Sequence, residues 1–217
     1  MNLSRRATDE KASSRADITM LTPDLLIDRS VFPETGGRWR SGVDGGRGGE
    51  PKVKNLAIDP PECGEFYGDA KTATQTAAAT LSDLHAGSLR SVGVHLFITR
   101  ERLSVQEYLQ ICQSFKQSFR MPGQTVTTEV RLDRFDADGV PPWAAAATMT
   151  SSSSTSVRAF VSVTAVMIFG YYRGVLIIAS DNEIHLRSKT NTPVDTSITT
   201  DLVKLLNAQA EKLEAAP

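Results

Sequence analysis

The chain has 217 residues, of which 40% are hydrophobic and 23% are charged, and its formal net charge is −1 at pH 7. This size and composition fit one globular domain with a substantial core, and the near-zero charge excludes a general attraction to nucleic acid or anionic membranes. No stretch reaches the roughly 18 consecutive apolar residues that would span a bilayer.

Residues 1–18 are predicted to form a disordered tail or linker, because they are polar and rich in serine and charged side chains. They lack the apolar segment of a secretory signal peptide. Taken literally, this indicates a cytoplasmic protein, but the same polar start would remain if a signal or anchor had preceded Met1. These residues therefore do not decide between the cytoplasm and a location outside the membrane.

The next two segments are predicted to have little regular structure, and both belong to a single α+β domain over residues 19–215. Apolar side chains between Leu21 and Phe32 are bracketed by Pro23 and Pro33, which favours a short strap that packs on the core. Residues 36–51 are rich in glycine and arginine, without the GK[ST] sequence of a phosphate loop. We interpret them as a flexible loop.

Helical signals surround both cysteines. Pro60 and Pro61 suit the first turn of a short helix that carries Cys63. A longer helix is predicted from Ser104 to Phe119, since it begins with an S-x-x-E capping box. Its apolar residues recur at helical spacing, which directs Cys112 to the core: Tyr108, Ile111, Cys112, Phe115 and Phe119. The count of two cysteines leaves a disulfide and two buried free thiols equally open.

Alternating apolar residues predict strands over most of the remaining chain, at 72–84, 89–99, 125–135, 143–150, 157–169 and 175–180. Ser151 to Ser154 are interpreted as a loop, and Gly170 to Gly174 as a turn or bulge. An amphipathic helix from Ile198 to Leu213 should pack on the same sheet face as the first helix, or beside it. The predicted fold is therefore α+β, an antiparallel β-sheet against two main helices in the order ββαβββ(β)α, with a short N-terminal strap and helix.

Motifs for catalysis are not found in the sequence. The three histidines lie far apart, without the spacing of a zinc site, and no GxSxG elbow is present. We therefore predict no catalytic residue, metal or cofactor. Trp143, Tyr171, Tyr172 and Arg173 form an aromatic and cationic set that is typical of contact surfaces. The alternative is that these aromatics cover a sheet edge while Arg173 is solvated.

Four segments carry a resemblance to known proteins: LLIDRSVFPETGGRW, DPPECGEFYG, EYLQICQSF and GYYRGVLIIAS. Together with the order of elements, they resemble the extracytoplasmic domains of mycobacterial envelope proteins. That group includes lipoproteins and the sensor domain that a mycobacterial serine/threonine kinase carries outside the membrane. The resemblance covers roughly Leu21 to Leu213.

The resemblance implies an antiparallel sheet with packed helices, a location outside the cytoplasmic membrane, and a disulfide between Cys63 and Cys112. It also implies binding of a ligand or partner protein instead of catalysis. The sequence departs from the family in two respects. It has no lipobox or membrane segment, and it has two cysteines where the kinase sensor domain has more.

These observations lead to the hypothesis of a non-enzymatic, extracytoplasmic binding or sensor-like domain of an actinobacterial cell envelope protein. It would recognise a small ligand or a protein partner through a cleft between sheet and helix. A scaffold subunit of an envelope assembly, or a hydrolase or transferase with a non-local active site, are the alternatives. Nucleic acid is not expected as a partner, membrane association would require an anchor absent from this sequence, and a homodimer is left open.

Overall fold

The computed structural model describes residues 14–34, 37–44, 57–67, 73–85, 88–99, 103–121, 124–155, 159–186 and 194–217. In this part of the chain, nine strands form one antiparallel sheet. They are β1 (Arg38–Asp44), β2 (Ala57–Asp59), β3 (Ala73–His85), β4 (Ser88–Thr99), β5 (Ser114–Met121), β6 (Gln124–Phe135), β7 (Ala144–Thr155), β8 (Ala159–Tyr172) and β9 (Val175–Leu186). Their order across the sheet is β1-β3-β4-β9-β8-β7-β6-β5-β2.

Two α-helices and three short 3₁₀ helices complete the described fold. The α-helices are α1 (Val105–Ile111) and α2 (Thr199–Ala215), and the 3₁₀ helices are Pro23–Leu25, Arg29–Val31 and Pro61–Tyr67. The antiparallel α+β class predicted from the sequence is confirmed. The predicted order of elements is wrong in detail, because it omitted β1, β2 and β5.

Each face of the sheet packs, over part of its area, against a different set of elements. Alternate residues of a strand point to opposite faces, and in β9 Val175 and Ile177 pack with α2 while Leu176 and Ile178 pack with α1. We call the α2 side the first face and the α1 side the second face. The prediction that the two helices share a face is therefore wrong. A continuous apolar run such as that of β9 is the pattern of a strand buried on both sides.

The predicted N-terminal strap packs on the first face. Its buried side chains join the core formed by α2: Ile18, Leu21, Leu25, Leu26, Ile27 and Phe32. Ile18 belongs to the segment predicted as a disordered tail, yet it is buried and its N–H donates to the carbonyl of Arg173 at 2.8 Å. Residues 1–13 of that predicted tail lie outside the described residues.

Gln209 of α2 attaches the strap by two hydrogen bonds. Its side chain is 0% exposed. Its Oε1 accepts from the Ile27 N–H at 3.2 Å, and its Nε2 donates to the Leu25 carbonyl at 2.7 Å. A buried amide that satisfies both main-chain groups removes the cost of leaving them unpaired.

Replacing Gln209 with leucine is expected to lower the free energy of unfolding by about 2 kcal/mol, because two buried backbone groups lose their partners. Urea unfolding followed by circular dichroism measures this change. Gln110→Leu, at an exposed position of α1, is the matched control and should have little effect. Equal midpoints for Gln209→Leu and the unmodified protein would contradict the role of this side chain.

The predicted helix from Ser104 to Phe119 is half helix and half strand. Its capping box is confirmed, since the Ser104 side chain accepts from the Glu107 N–H and the Glu107 carboxylate accepts from the Ser104 N–H. Hydrogen bonds from Ser104 lower the pKa of Glu107. The helix ends at Ile111, and β5 then pairs with β6. Phe115 and Phe119 lie four residues apart, a spacing that suits one face of a helix as well as one face of a strand.

Two segments interpreted as loops contain strands. Within 36–51, residues 38–44 form β1 and pair with β3, and Trp39 and Val43 pack against the first-face core; residues 36 and 45–51 lie outside the described part. Ser151 to Ser154 lie within β7 and pair with both β6 and β8. Ser153 and Thr128 exchange a hydroxyl hydrogen bond at 2.8 Å. Cross-strand pairing of this kind stabilises a polar strand that local propensity alone would not predict.

Candidate ligand-binding face

Arg173, predicted as part of a contact surface or as a solvated cation, is instead a buried structural residue at 5% exposure. Its guanidinium donates to main-chain carbonyls of Ala16, Leu213, Ala216 and Pro217. The cation therefore satisfies carbonyls at the C-terminal end of α2, where the helix dipole favours positive charge. It joins the strap, the β8–β9 turn and α2.

The aromatic residues predicted beside Arg173 do not form one surface. Tyr171 and Tyr172 are neighbours in β8 and thus point to opposite faces. Tyr172 lies on the first face, 5.2 Å from Trp143 between ring centroids, and its hydroxyl donates to Glu214 at 2.9 Å. Tyr171 lies on the second face, with its hydroxyl 3.4 Å from that of Thr99. A binding role for Trp143, Tyr171 and Tyr172 stays a prediction, now divided between two faces.

The disulfide implied by the family resemblance is present. Cys63 of the 3₁₀ helix and Cys112 at the end of α1 are bonded, with 5.5 Å between their Cα atoms. Both are buried in the second-face core, together with Tyr108, whose ring packs edge-on against Phe169 at 6.0 Å. These two short helices cover the second face over the β5–β8 side of the sheet.

A small cavity of about 110 Å³ lies on the first face, beside the start of α2. Its polar lining includes Arg90, Thr164, Asp181, Glu183 and Asp195. Arg90 is already engaged, because its Nη2 donates to Asp181 Oδ2 at 2.7 Å. Typical small-molecule sites have volumes of about 300 Å³ or more. This cavity is too small for such a ligand.

On the second face, the strands on the β1 side of the sheet carry a different kind of surface. Strand pairing arranges its residues in three parallel rows. An apolar row crosses four strands: Leu84, Leu89, Ile184 and Val163. A first polar row lies next to it: Arg38, Ser82, Ser91 and Asn182. A second polar row follows: Arg40, Thr80, Gly93 and Ser180. We call these three rows the row surface.

Residues of the row surface are exposed on β1 and at the β3–β4 hairpin, and they are more buried on β9. Leu84 is 74% exposed and Leu89 is 38% exposed, whereas Ser180 is 3% exposed. Hydrogen bonds already orient its polar groups. Ser82 and Ser91 share a hydroxyl contact of 3.0 Å, and Asn182 Nδ2 donates to Ser180 Oγ at 2.9 Å. The rows thus present ordered hydroxyl and amide groups beside aliphatic side chains.

His95 borders the second polar row. Its ring is half-buried and stacked beside Phe97, with 6.4 Å between centroids. Desolvation lowers the pKa of His95 below its ordinary value, so the imidazole is neutral at pH 7. A Cβ at Gly93 would lie 2.9 Å from Thr80 Cγ2 and 3.2 Å from His95 Nε2. Gly93 is therefore needed for the close approach of these two side chains.

Charge divides the two faces of the sheet. By register, the carboxylates of strands β3 to β9 all lie on the first face: Asp83, Glu129, Asp133, Asp181 and Glu183. The second face of the same strands carries no aspartate or glutamate among the described residues. Arg38 and Arg40 at its β1 edge are exposed. Two cations therefore lie at the β1 end of the row surface, and Asp44, on the same face of β1 by register, lies four residues beyond Arg40.

Comparisons with known proteins add little to this geometry. No protein-family profile matches the chain. No curated protein matches it. An uncharacterized Mycobacterium smegmatis protein, an ortholog of Rv0999, has a TM-score of 0.36 and 14% identity over 83% of this chain and 92% of that chain. An uncharacterized Rhizobium leguminosarum protein has a TM-score of 0.23 and 8% identity over 84% of this chain and 100% of that one.

Both TM-scores are too low to support an argument on family or function. In the described part of the chain, no three His, Cys, Asp or Glu side chains are grouped to hold a metal ion. Among the described helices, none has the length and apolar character needed to cross a membrane.

Sequence reasoning missed the row surface because its members come from five strands that only pairing brings together. The alternation in Leu89 to Thr99 was recognised, yet it was used to identify the buried side of β4. Ser91, Gly93 and His95 occupy the other side of that strand. The sequence did contain a signal for this surface in the residues of β4 that face away from α2. Small and polar residues stand there, where charged residues are expected on an exposed side.

Proposed function

We propose that the chain is a non-enzymatic, extracytoplasmic binding domain of a cell envelope protein, as the resemblance to mycobacterial lipoproteins and sensor domains implies. Its ligand lies on the row surface, between the β1 edge and the helices that cover the rest of the second face. The observation that carries the proposal is the row surface itself. It combines ordered hydrogen-bonding groups, exposed aliphatic side chains and positive charge on a rigid sheet.

The disulfide between Cys63 and Cys112 supports the compartment. Disulfides persist in oxidising environments outside the cytoplasm and are rare within it. The position of the bond also supports a binding role. It secures the two short helices on the β5–β8 side of the second face, next to the proposed site, and a preorganised site loses less entropy when a ligand binds.

The binding role is tested by filling the row surface. Thermal unfolding is measured with a panel of phosphorylated, carboxylated and neutral sugars and single-chain amphiphiles. A ligand at about 100 times its Kd should add roughly 2.7 kcal/mol to the unfolding free energy. Ser91→Phe places a bulky ring in the first polar row and should abolish that gain, whereas Ser152→Phe, exposed on the opposite face of β7, should preserve it.

The two phenylalanine variants are compared by circular dichroism before the ligands are added, so that loss of binding is separated from loss of folding. A ligand that stabilises Ser91→Phe as strongly as the unmodified protein binds elsewhere. That outcome would contradict the assignment of the row surface. Loss of stabilisation in Ser152→Phe alone would move the site to the first face.

A further inference from the structure

The apolar row has the dimensions of a track for one extended hydrocarbon chain. It crosses β3, β4, β9 and β8, and adjacent strands are about 4.8 Å apart, so the row is about 14 Å long. Polar residues occupy the neighbouring row on one side, and on the other side Val161 and Leu186 adjoin it at its β8–β9 end. Leu84 and Leu89, at its hairpin end, are its most exposed members. Exposed aliphatic side chains in a continuous row gain free energy when an apolar group covers them.

The polar rows supply sites for an anion beside this track. They lie two and four residues along the strands from the apolar row, or about 7 and 13 Å away. Arg38 and Arg40 end these rows, and in the described part of the chain neither guanidinium has a hydrogen bond or ion pair. Arginine binds phosphate and carboxylate oxygens in a bidentate manner. The hydroxyls of Ser82 and Ser91 lie next in line across the sheet.

The charge distribution favours an anionic head group over a cationic or neutral one. No carboxylate of strands β3 to β9 shares this face in the described chain. On β1 the same face carries Asp44, but by register it lies four residues beyond Arg40, or about 13 Å along the strand. A protein partner fits less well, because protein interfaces place a broad apolar centre within a polar rim. Here the apolar residues form a row that is two residues wide only where Val161 and Leu186 adjoin it, with polar groups along its other side.

We infer that the row surface binds an amphiphile with an anionic head group and a single alkyl chain, an inference that rests on the proposed binding function. The head group contacts Arg38 and Arg40 at the β1 edge, and hydroxyls of the first polar row donate further hydrogen bonds. The alkyl chain lies across the strands, on Leu84, Leu89 and the residues that continue their row. Recognition thus requires both parts of the ligand.

Isothermal titration calorimetry with dodecyl phosphate, below its micelle concentration, tests this requirement. Inorganic phosphate supplies the head group alone, and dodecyl maltoside supplies the chain with a neutral head group. We expect dodecyl phosphate to bind at least about tenfold more tightly than either, because each comparison removes one set of contacts. Its affinity should also fall as salt is added, since exposed charges are screened. Equal affinity for dodecyl phosphate and either comparison compound would overturn the inference.

Matched variants separate the two contributions. Arg38→Gln with Arg40→Gln should weaken dodecyl phosphate binding about tenfold or more. The same change at exposed arginines of the first face, Arg120→Gln with Arg131→Gln, should leave it unchanged. Leu84→Ser with Leu89→Ser should weaken dodecyl phosphate binding and leave that of inorganic phosphate unaltered. Ile111→Ser, which removes an exposed aliphatic side chain from α1, controls for general surface hydrophobicity.

The outcomes also distinguish this inference from the proposed function. One outcome is that dodecyl phosphate fails to bind while Ser91→Phe abolishes stabilisation by another compound. In that case the inferred ligand class is wrong, and the row surface is still the binding site. If dodecyl phosphate binds equally well to both arginine double variants and to Ser91→Phe, its site is elsewhere and the inference is overturned. Lost affinity in both the Arg38 and Arg40 variant and the Leu84 and Leu89 variant, with both controls intact, supports it.

Discussion

Replacing Cys63 and Cys112 together with alanine is expected to lower the free energy of unfolding by about 4 kcal/mol. The bond closes a loop with a sequence separation of 49 residues, and the chain-entropy model assigns about this value to a loop of that length. The loss should concentrate in the second-face core, where both sulfurs are buried beside Tyr108. Urea unfolding of the variant and of the oxidised protein measures the difference.

Serine is the second substitution to compare with alanine, because it approximates the size of a thiol but brings a hydroxyl into an apolar core. If the double serine variant is less stable than the double alanine variant, the cost of burying two hydroxyls in this core exceeds the contacts that they restore. The unmodified protein treated with a reductant under native conditions is the companion sample. A thiol titration in denaturant, without reductant, that finds two free cysteines in natively isolated protein would contradict the disulfide.

Replacing Arg173 with asparagine is expected to lower the free energy of unfolding by about 3 kcal/mol. A hydrogen bond to a charged group contributes about 1.5–3 kcal/mol. Of the four carbonyls that the guanidinium contacts, only that of Leu213 is in a fully buried bond, and water can replace the arginine at the other three, so we expect about one such contribution to be lost. Asparagine is the suitable replacement because Arg173 has a φ of 46°, and asparagine tolerates this left-handed region better than most residues. The loss of stability then measures the contribution of the Arg173 side chain and not backbone strain in the turn.

Thermal unfolding measures the effect of Arg173→Asn as a fall in Tm of about 10 °C for a domain of this size. Arg173→Lys retains the charge but lacks the planar set of donors, so it should recover only part of the stability. Arg131→Asn, at an exposed position on the first face, should shift Tm little. A Tm for Arg173→Asn within the range of this control would show that the buried guanidinium is not needed.

The elements predicted correctly from the sequence are those whose own residues determine them. β4 alternates strictly through Val92, Val94 and Leu96, all of which are buried on the first face. α2 repeats apolar residues at helical spacing over 17 residues. In both cases the element meets a core along one whole side, so hydrophobic periodicity alone reveals it.

The missed elements depend on distant partners. β5 takes Phe115 and Phe119, whose spacing also fits a helix, and becomes a strand because β6 pairs with it. β1 lies in a segment rich in glycine and is ordered by its pairing with β3. The row surface also depends on the pairing of segments that are distant in the sequence. Ser82, Ser91 and Asn182 become neighbours only after three separate strands pair in one register.

The junction at Arg173 has a consequence for how this domain meets whatever is joined to it. Ala16 and the last turn of α2 are both held at the β8–β9 turn, so the chain enters and leaves the described fold at the same end of the sheet. The apolar row lies near the other end, since Ile184 is nine residues along β9 from Val175, or about 30 Å. A tag, a fused domain or a surface attached after Pro217 would leave the proposed site facing outward. Immobilisation through the C-terminus should therefore preserve ligand access.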